Sequence, residues 1–149
     1  MRLRPMLALM TALAASTTLA TVTKTIKPPG QGGDYDNFQS AWNSIPGSLT
    51  DHYVFEVYTG TYATFDATGK TTGSWTITFK AATGQSPRIY SATGGDYGVY
   101  SSGQNNVKLA GLEIDCYSPP VYLASSCDGW RVEGCEVLSN PVEIAVGGG

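Results

Sequence analysis

Phe55-Glu56-Val57, Ile77-Thr78-Phe79, Val99-Tyr100-Ser101, Val121-Tyr122-Leu123 and Val142-Glu143-Ile144 are the five triplets whose reading decides the fold. Their middle residues, at 56, 78, 100, 122 and 143, recur at intervals of 22, 22, 22 and 21 positions, and every flanking residue except Ser101 is apolar. Short in-out-in strands at this interval are too brief for a helical solenoid unit and suit one turn of a parallel β-coil. The alternation predicts that Phe55, Ile77, Val99, Val121 and Val142 form a single buried row.

Working outward, a second ladder accompanies the first. Val107-Lys108-Leu109-Ala110-Gly111-Leu112-Glu113-Ile114 matches Trp130-Arg131-Val132-Glu133-Gly134-Cys135-Glu136-Val137 at a constant offset of 23, with apolar, charged and glycine positions in phase. Gly111 and Gly134 thus stand at equivalent bends, where the lack of a Cβ lets the chain turn. The expectation is an all-β parallel solenoid of about five coils spanning residues 53–146.

Composition agrees with stacked strands. Of the 149 residues only 14% are charged, against about 25% in a typical domain. The 18 glycines and 9 tyrosines suit tight bends and half-buried pleated surfaces. A net charge of −3, with no Lys/Arg cluster beyond the first few residues, argues against a nucleic-acid footprint.

The amino terminus reads as an export signal. Arg2 and Arg4 precede an apolar run from Met6 to Ala15, and small residues follow through Ala20, which is the order of a secretory signal peptide over residues 1–20. The apolar run is far short of the roughly 20 residues of a spanning helix, so no membrane attachment is expected after cleavage. Residues 21–33, with Pro28-Pro29-Gly30, read as a linker, and 34–149 as the folded domain. A secreted, cell-surface or periplasmic location follows. There Cys116, Cys127 and Cys135, odd in number, cannot all pair within the chain. The inward phase of Cys116 and Cys135 favours buried thiols over a bridge.

Ahead of the first rung, Phe38, Ala41, Trp42 and Ile45 recur at helical spacing, predicting a helix over 36–46 capped by Asp36 and Gln39 and stopped by Pro46-Gly47. A helix this short needs cover for its apolar stripe, and the open end of a β-coil supplies it. Val146-Gly147-Gly148-Gly149 contains no cap of this kind. The last rung is therefore expected to need further coils or a partner, with this chain the amino-terminal part of a longer protein.

These residues carry a resemblance. Gly32-Gly33-Asp34-Tyr35-Asp36-Asn37-Phe38-Gln39-Ser40-Ala41-Trp42, the strand Val54 to Tyr62 and the rung Asn106 to Ile114 resemble the secreted right-handed parallel β-helix proteins, including pectate-lyase-like members. The resemblance covers nearly all of residues 21–149, and it implies a right-handed parallel β-helix with a short N-terminal capping helix. It does not imply a chemistry. The Asn-Thr-Asp, paired-aspartate, His-Gly and Arg-Ile-Lys segments of polygalacturonase-like members are missing, and Arg131 is the only arginine beyond Arg88. No catalytic residue is assigned. His52, the one histidine, opens the first strand as a turn residue.

Two sets of outward residues remain as candidate contacts. Tyr100 and Tyr122, on successive rungs, would give a sugar ring a stacking surface. Glu113, Asp115 and Glu136 would converge on one calcium ion if they share a face, since neighbouring coils lie about 4.8 Å apart. Trp130 shares the inward phase of Val107 and belongs to the core. The function expected is a secreted, non-catalytic β-helix scaffold or carbohydrate-binding module whose partner is an extracellular polysaccharide. The alternative is the amino-terminal part of a polysaccharide lyase or glycoside hydrolase with its catalytic coils downstream.

Overall fold

The structure, a computed structural model, describes residues 20–92, 96–116, 118–138 and 144–146. The expected signal peptide, apart from Ala20, and Val142, Glu143 and the terminal glycines lie outside the described residues. The chain runs β1 (Thr21–Ile26), α1 (Phe38–Ser44), β2 (His52–Val57), β3 (Gly60–Tyr62), β4 (Phe65–Thr68), β5 (Ile77–Ala81), β6 (Pro87–Ser91) and β7 (Val99–Ser102). It continues with β8 (Val107–Ala110), β9 (Glu113–Cys116), β10 (Val121–Leu123), β11 (Arg131–Glu133), β12 (Glu136–Leu138) and β13 (Ile144–Val146).

Three sheets result, and every named strand pair in them is parallel. Sheet 1 has the order β1-β2-β5-β8-β11, sheet 2 β3-β6-β9-β12, and sheet 3 β4-β7-β10-β13. From β2 onward each strand enters the next sheet in rotation, so every third strand returns beside its predecessor. Among the described residues the protein is all-β apart from one short helix, in an arrangement compatible with a parallel β-helix. Among the described residues the chain makes four such passages, where about five coils are expected from the sequence.

The register corrects the first ladder. Phe55 lies beside Phe79 rather than Ile77, while Ile77 lies beside Tyr53 and Val107, all in sheet 1. Val99 belongs to sheet 3, between Phe65 and Val121. The expected single row is thus three rows, those of Phe55 and of Ile77 in sheet 1 and that of Val99 with Val121 in sheet 3, although Phe55, Ile77, Val99 and Val121 are each 0% exposed. Alternation with period two assigns a residue to the inner or outer face, but it does not say which sheet it enters. The returns are unequal as well. Phe65 to Val99 spans 34 positions and Val99 to Val121 spans 22, because longer connections in the second passage shift the early strands. The second ladder stands: Lys108 pairs with Arg131 and Glu113 with Glu136, each at an offset of 23. It crosses from sheet 1 to sheet 2 at Gly111 and Gly134, whose φ of 66° and 58° favours a residue without Cβ.

Residues 21–26, expected to begin a linker, instead form β1, which lies along β2 over its whole length. Thr21-Val22-Thr23-Lys24-Thr25-Ile26 is β-branched at every position except Lys24, a strand signal that the following Pro-Pro-Gly obscured. The glycine-glycine-aspartate turn then folds back on this strand. The Asp34 carboxylate accepts from the Thr25 N–H at 2.8 Å and the Thr25 hydroxyl at 2.9 Å, which holds it below the usual carboxylate range.

The helix covers the core as expected, with its first cap moved by one residue. Asn37, not Asp36, is the N-cap, accepting from the Ser40 N–H at 2.8 Å, and the helix is 38–44 rather than 36–46. Gln39 does not reach back to a cap. It accepts from the Asp66 N–H at 2.9 Å and donates to the Asp66 carbonyl at 3.4 Å. Trp42 Nε1 donates to the Thr68 carbonyl at 2.9 Å. These bonds satisfy the outer edge of β4, the end strand of sheet 3, which would otherwise present unpaired backbone groups. Beneath them Phe38 stacks on Phe65 at 5.1 Å, and Phe79 stacks on Phe55 at 4.9 Å.

Tyr62 gives this end a pH limit. Its hydroxyl donates to the Tyr58 carbonyl at 2.8 Å, and burial pushes its pKa up to about 12 from 10.0. The folded value lies above the unfolded one, so the stabilisation is complete below pH 10.0 and is lost as pH rises toward about 12. Melting temperatures measured from pH 9 to 12 are expected to fall more steeply for the parent than for Tyr62→Phe; parallel curves would refute this.

Candidate functional site

Tyr100 and Tyr122 are brought together by the register of β7 and β10. Val99 and Ser101 on one strand, and Val121 and Leu123 on the other, point into the core, so the tyrosines between them face outward. Ser101, the one polar residue in an inward position, donates its hydroxyl to the Ala67 carbonyl at 2.8 Å, and this satisfies it at 0% exposure. The tyrosine rings lie 6.0 Å apart at 15°. Tyr97, which the alternation of the strands did not mark, completes the group at 4.6 Å and 15° from Tyr122 and 5.8 Å and 29° from Tyr100. It precedes β7 rather than belonging to it. Its neighbour Gly98 permits the close approach: a Cβ there would sit 2.6 Å from the Pro120 carbonyl oxygen. The three rings are half-buried, and Asp66 extends their row toward the helix end.

The carboxylates have a different setting. Glu113 and Glu136 pair in register on β9 and β12, while Asp115 lies beside Tyr90 and Leu138. Arg88 of β6 reaches both Glu113 and Asp115. Its Nε is 2.8 Å from Glu113 Oε1, an ion pair without an aligned hydrogen bond, and its Nη2 donates to Asp115 Oδ2. The guanidinium also lies 4.6 Å from the centre of the Tyr90 ring. The bond to Asp115, with the two neighbouring negative charges, raises the Arg88 pKa further. Glu113 and Asp115 thus share a cation supplied by the chain, and Glu136 stands beside them on the surface. Among the described residues no three His, Cys, Asp or Glu side chains are grouped to hold a metal ion.

The remaining candidates have structural partners. His52 Nδ1 accepts from the Thr76 N–H at 3.2 Å and lies 2.9 Å from its hydroxyl, tying β2 to the start of β5. Trp130 Nε1 donates to the Gln104 carbonyl at 2.7 Å while the ring packs on the core. Cys116, Cys127 and Cys135 are free thiols, and burial raises the pKa of Cys116 and Cys135. Cys127, in the loop after β10, packs against the core 3.5 Å from the Ser101 hydroxyl.

Compared with known proteins, the chain matches no family, no curated protein and no solved structure. Its described residues define an all-β class of three parallel sheets, with an aromatic outer face on sheet 3 and an ion-paired face on sheet 2.

Proposed function

We propose that this chain is a right-handed parallel β-helix of the secreted kind, acting as a scaffold or carbohydrate-binding module that meets an extracellular polysaccharide through the outer face of sheet 3. The observation that supports this most is the group Tyr97, Tyr100 and Tyr122, three near-parallel rings spanning two neighbouring strands. A tyrosine offers an apolar ring to a sugar face and a hydroxyl to its oxygens. A row that follows successive strands also runs in the direction an extended polymer would take. The same stacking also stabilises the sheet.

Calorimetric titration of the chain with neutral and acidic polysaccharides, each with and without calcium, tests the proposal. At least one polysaccharide is expected to bind, with Tyr122→Ala weakening it about tenfold, or 1.4 kcal/mol. Calcium dependence would enlist Glu113, Asp115 and Glu136 as well. No heat in any combination, or unchanged binding by the variant, would rule the tyrosine face out.

A further inference from the structure

The tyrosines of this chain differ in what their rings touch. Tyr35 and Tyr53 lie against Phe55, Tyr58 lies under Lys27 and Tyr90 under Arg88. Tyr62 is buried edge-on to Phe38. Among the described residues a tyrosine ring contacts another tyrosine only within the group of Tyr97, Tyr100 and Tyr122. Tyr97 and Tyr122 are its closest pair, at 4.6 Å and 15°. Near-parallel rings at that separation cannot lie side by side. They overlap face to face, which brings ring carbons into van der Waals contact.

Both members of the pair are held in place. Tyr122 is the middle residue of β10, in register with β7 on one side and β13 on the other. Tyr97 is fixed through its neighbours: the Val99 N–H donates to the Pro120 carbonyl at 2.8 Å, and a Cβ on Gly98 would meet that same oxygen at 2.6 Å. It would also meet the Ile114 side chain at 2.7 Å and Cys116 Sγ at 2.9 Å. The segment carrying Tyr97 therefore rests directly on the chain that leads into β10. Both rings are half-buried rather than sealed in the core, so an oxidant in solution can take electrons from them.

We propose that Tyr97 and Tyr122 are an oxidative cross-linking site, joined carbon to carbon as dityrosine when the protein meets hydrogen peroxide and a haem peroxidase. This goes beyond the saccharide reading and does not depend on it. Each phenol gives one electron to the peroxidase and its hydroxyl proton to water. The two phenoxyl radicals couple through the ring carbons beside their oxygens, forming one carbon–carbon bond. Each of those carbons then releases its hydrogen as a proton, and each oxygen takes a proton back to restore the phenol. Two electrons and two protons leave in all, and they reduce one peroxide to two waters. Holding the rings in contact beforehand favours coupling within one chain over an encounter between two chains. The bond closes the loop from residue 97 to residue 122, tying one passage through sheet 3 to the next. In a chain whose three cysteines are free thiols, it restricts the unfolded state as a disulfide does elsewhere.

The test is to treat the chain at low micromolar concentration with a haem peroxidase and limiting hydrogen peroxide, and then to map the monomer by mass spectrometry. The intact monomer is expected to become lighter by two hydrogen atoms and to gain dityrosine fluorescence. Trypsin cleaves between the two residues at Lys108, so the peptides carrying them should remain joined, with fragmentation placing the bond at Tyr97 and Tyr122. Tyr97→Phe and Tyr122→Phe keep an aromatic ring for packing and should each abolish the linked monomer, whereas Tyr100→Phe should leave it. Circular dichroism of the untreated variants, expected to match the parent, separates loss of the phenol from loss of the fold. A bond mapped to any other pair, cross-links formed only between chains, or an undiminished yield from folded Tyr97→Phe overturns the proposal.

Discussion

Trp42→Ala is expected to lower stability by about 3–5 kcal/mol, the range for removing a buried tryptophan. Trp42 is only 2% exposed, its ring lies 6.4 Å from both Phe65 and Phe79, and its Nε1 satisfies the Thr68 carbonyl. The substitution therefore opens a cavity against two core aromatics and strips one bond from the edge of β4. A seven-residue helix is marginal by itself, so the loss should release α1 from the sheet. In thermal melts the midpoint should fall by on the order of 10–20 °C for a chain of this size. Equal melting temperatures of variant and parent would show that the helix carries no stability.

The second large effect separates inside from outside on one strand. Val121→Asp places a carboxylate at a position with 0% exposure, on a strand whose register sets it between Val99 and Ile144. Burying an unpaired charge costs at least several kcal/mol, comparable with the whole stability of a small domain, about 5–15 kcal/mol. The variant is expected to be largely unfolded by circular dichroism at neutral pH. Tyr122→Asp, one residue on, faces solvent and should keep the fold with a loss of about 1 kcal/mol. Similar behaviour of the two variants would break the assignment of faces in sheet 3.

The difference between these neighbours was legible in the sequence, because alternation alone distinguishes Val121 from Tyr122. What alternation lacks is a label for the sheet. Phe55 and Ile77 carry the same pattern as Val99 and Val121, so a regular interval joined strands of sheet 1 to strands of sheet 3 until the pairings separated them. The second ladder avoided this ambiguity, since its charges and its glycine corner identify each position. At the surface, Tyr100 and Tyr122 followed from phase, but Tyr97 lies outside any strand, and only the fold back past Gly98 places it on their rings. The carboxylates show the converse limit. Glu113 and Asp115 were recognisable as outward neighbours, whereas their cation, Arg88, is 25 positions before Glu113 and reaches it only through the pairing of β6 with β9. A strand partner at that distance leaves no local sequence signal.

The tyrosine face is tested most directly by NMR of the chain with its tyrosine rings labelled, recorded free and with whichever polysaccharide fragment shows heat in calorimetry. In the free protein, ring-to-ring contacts are expected among Tyr97, Tyr100 and Tyr122, matching their separations of 4.6–6.0 Å. On binding, sugar-ring protons should show contacts to these same three rings. A bound sugar whose contacts fall on other sheets and on none of the three tyrosines would contradict the assignment of sheet 3 as the saccharide-binding face.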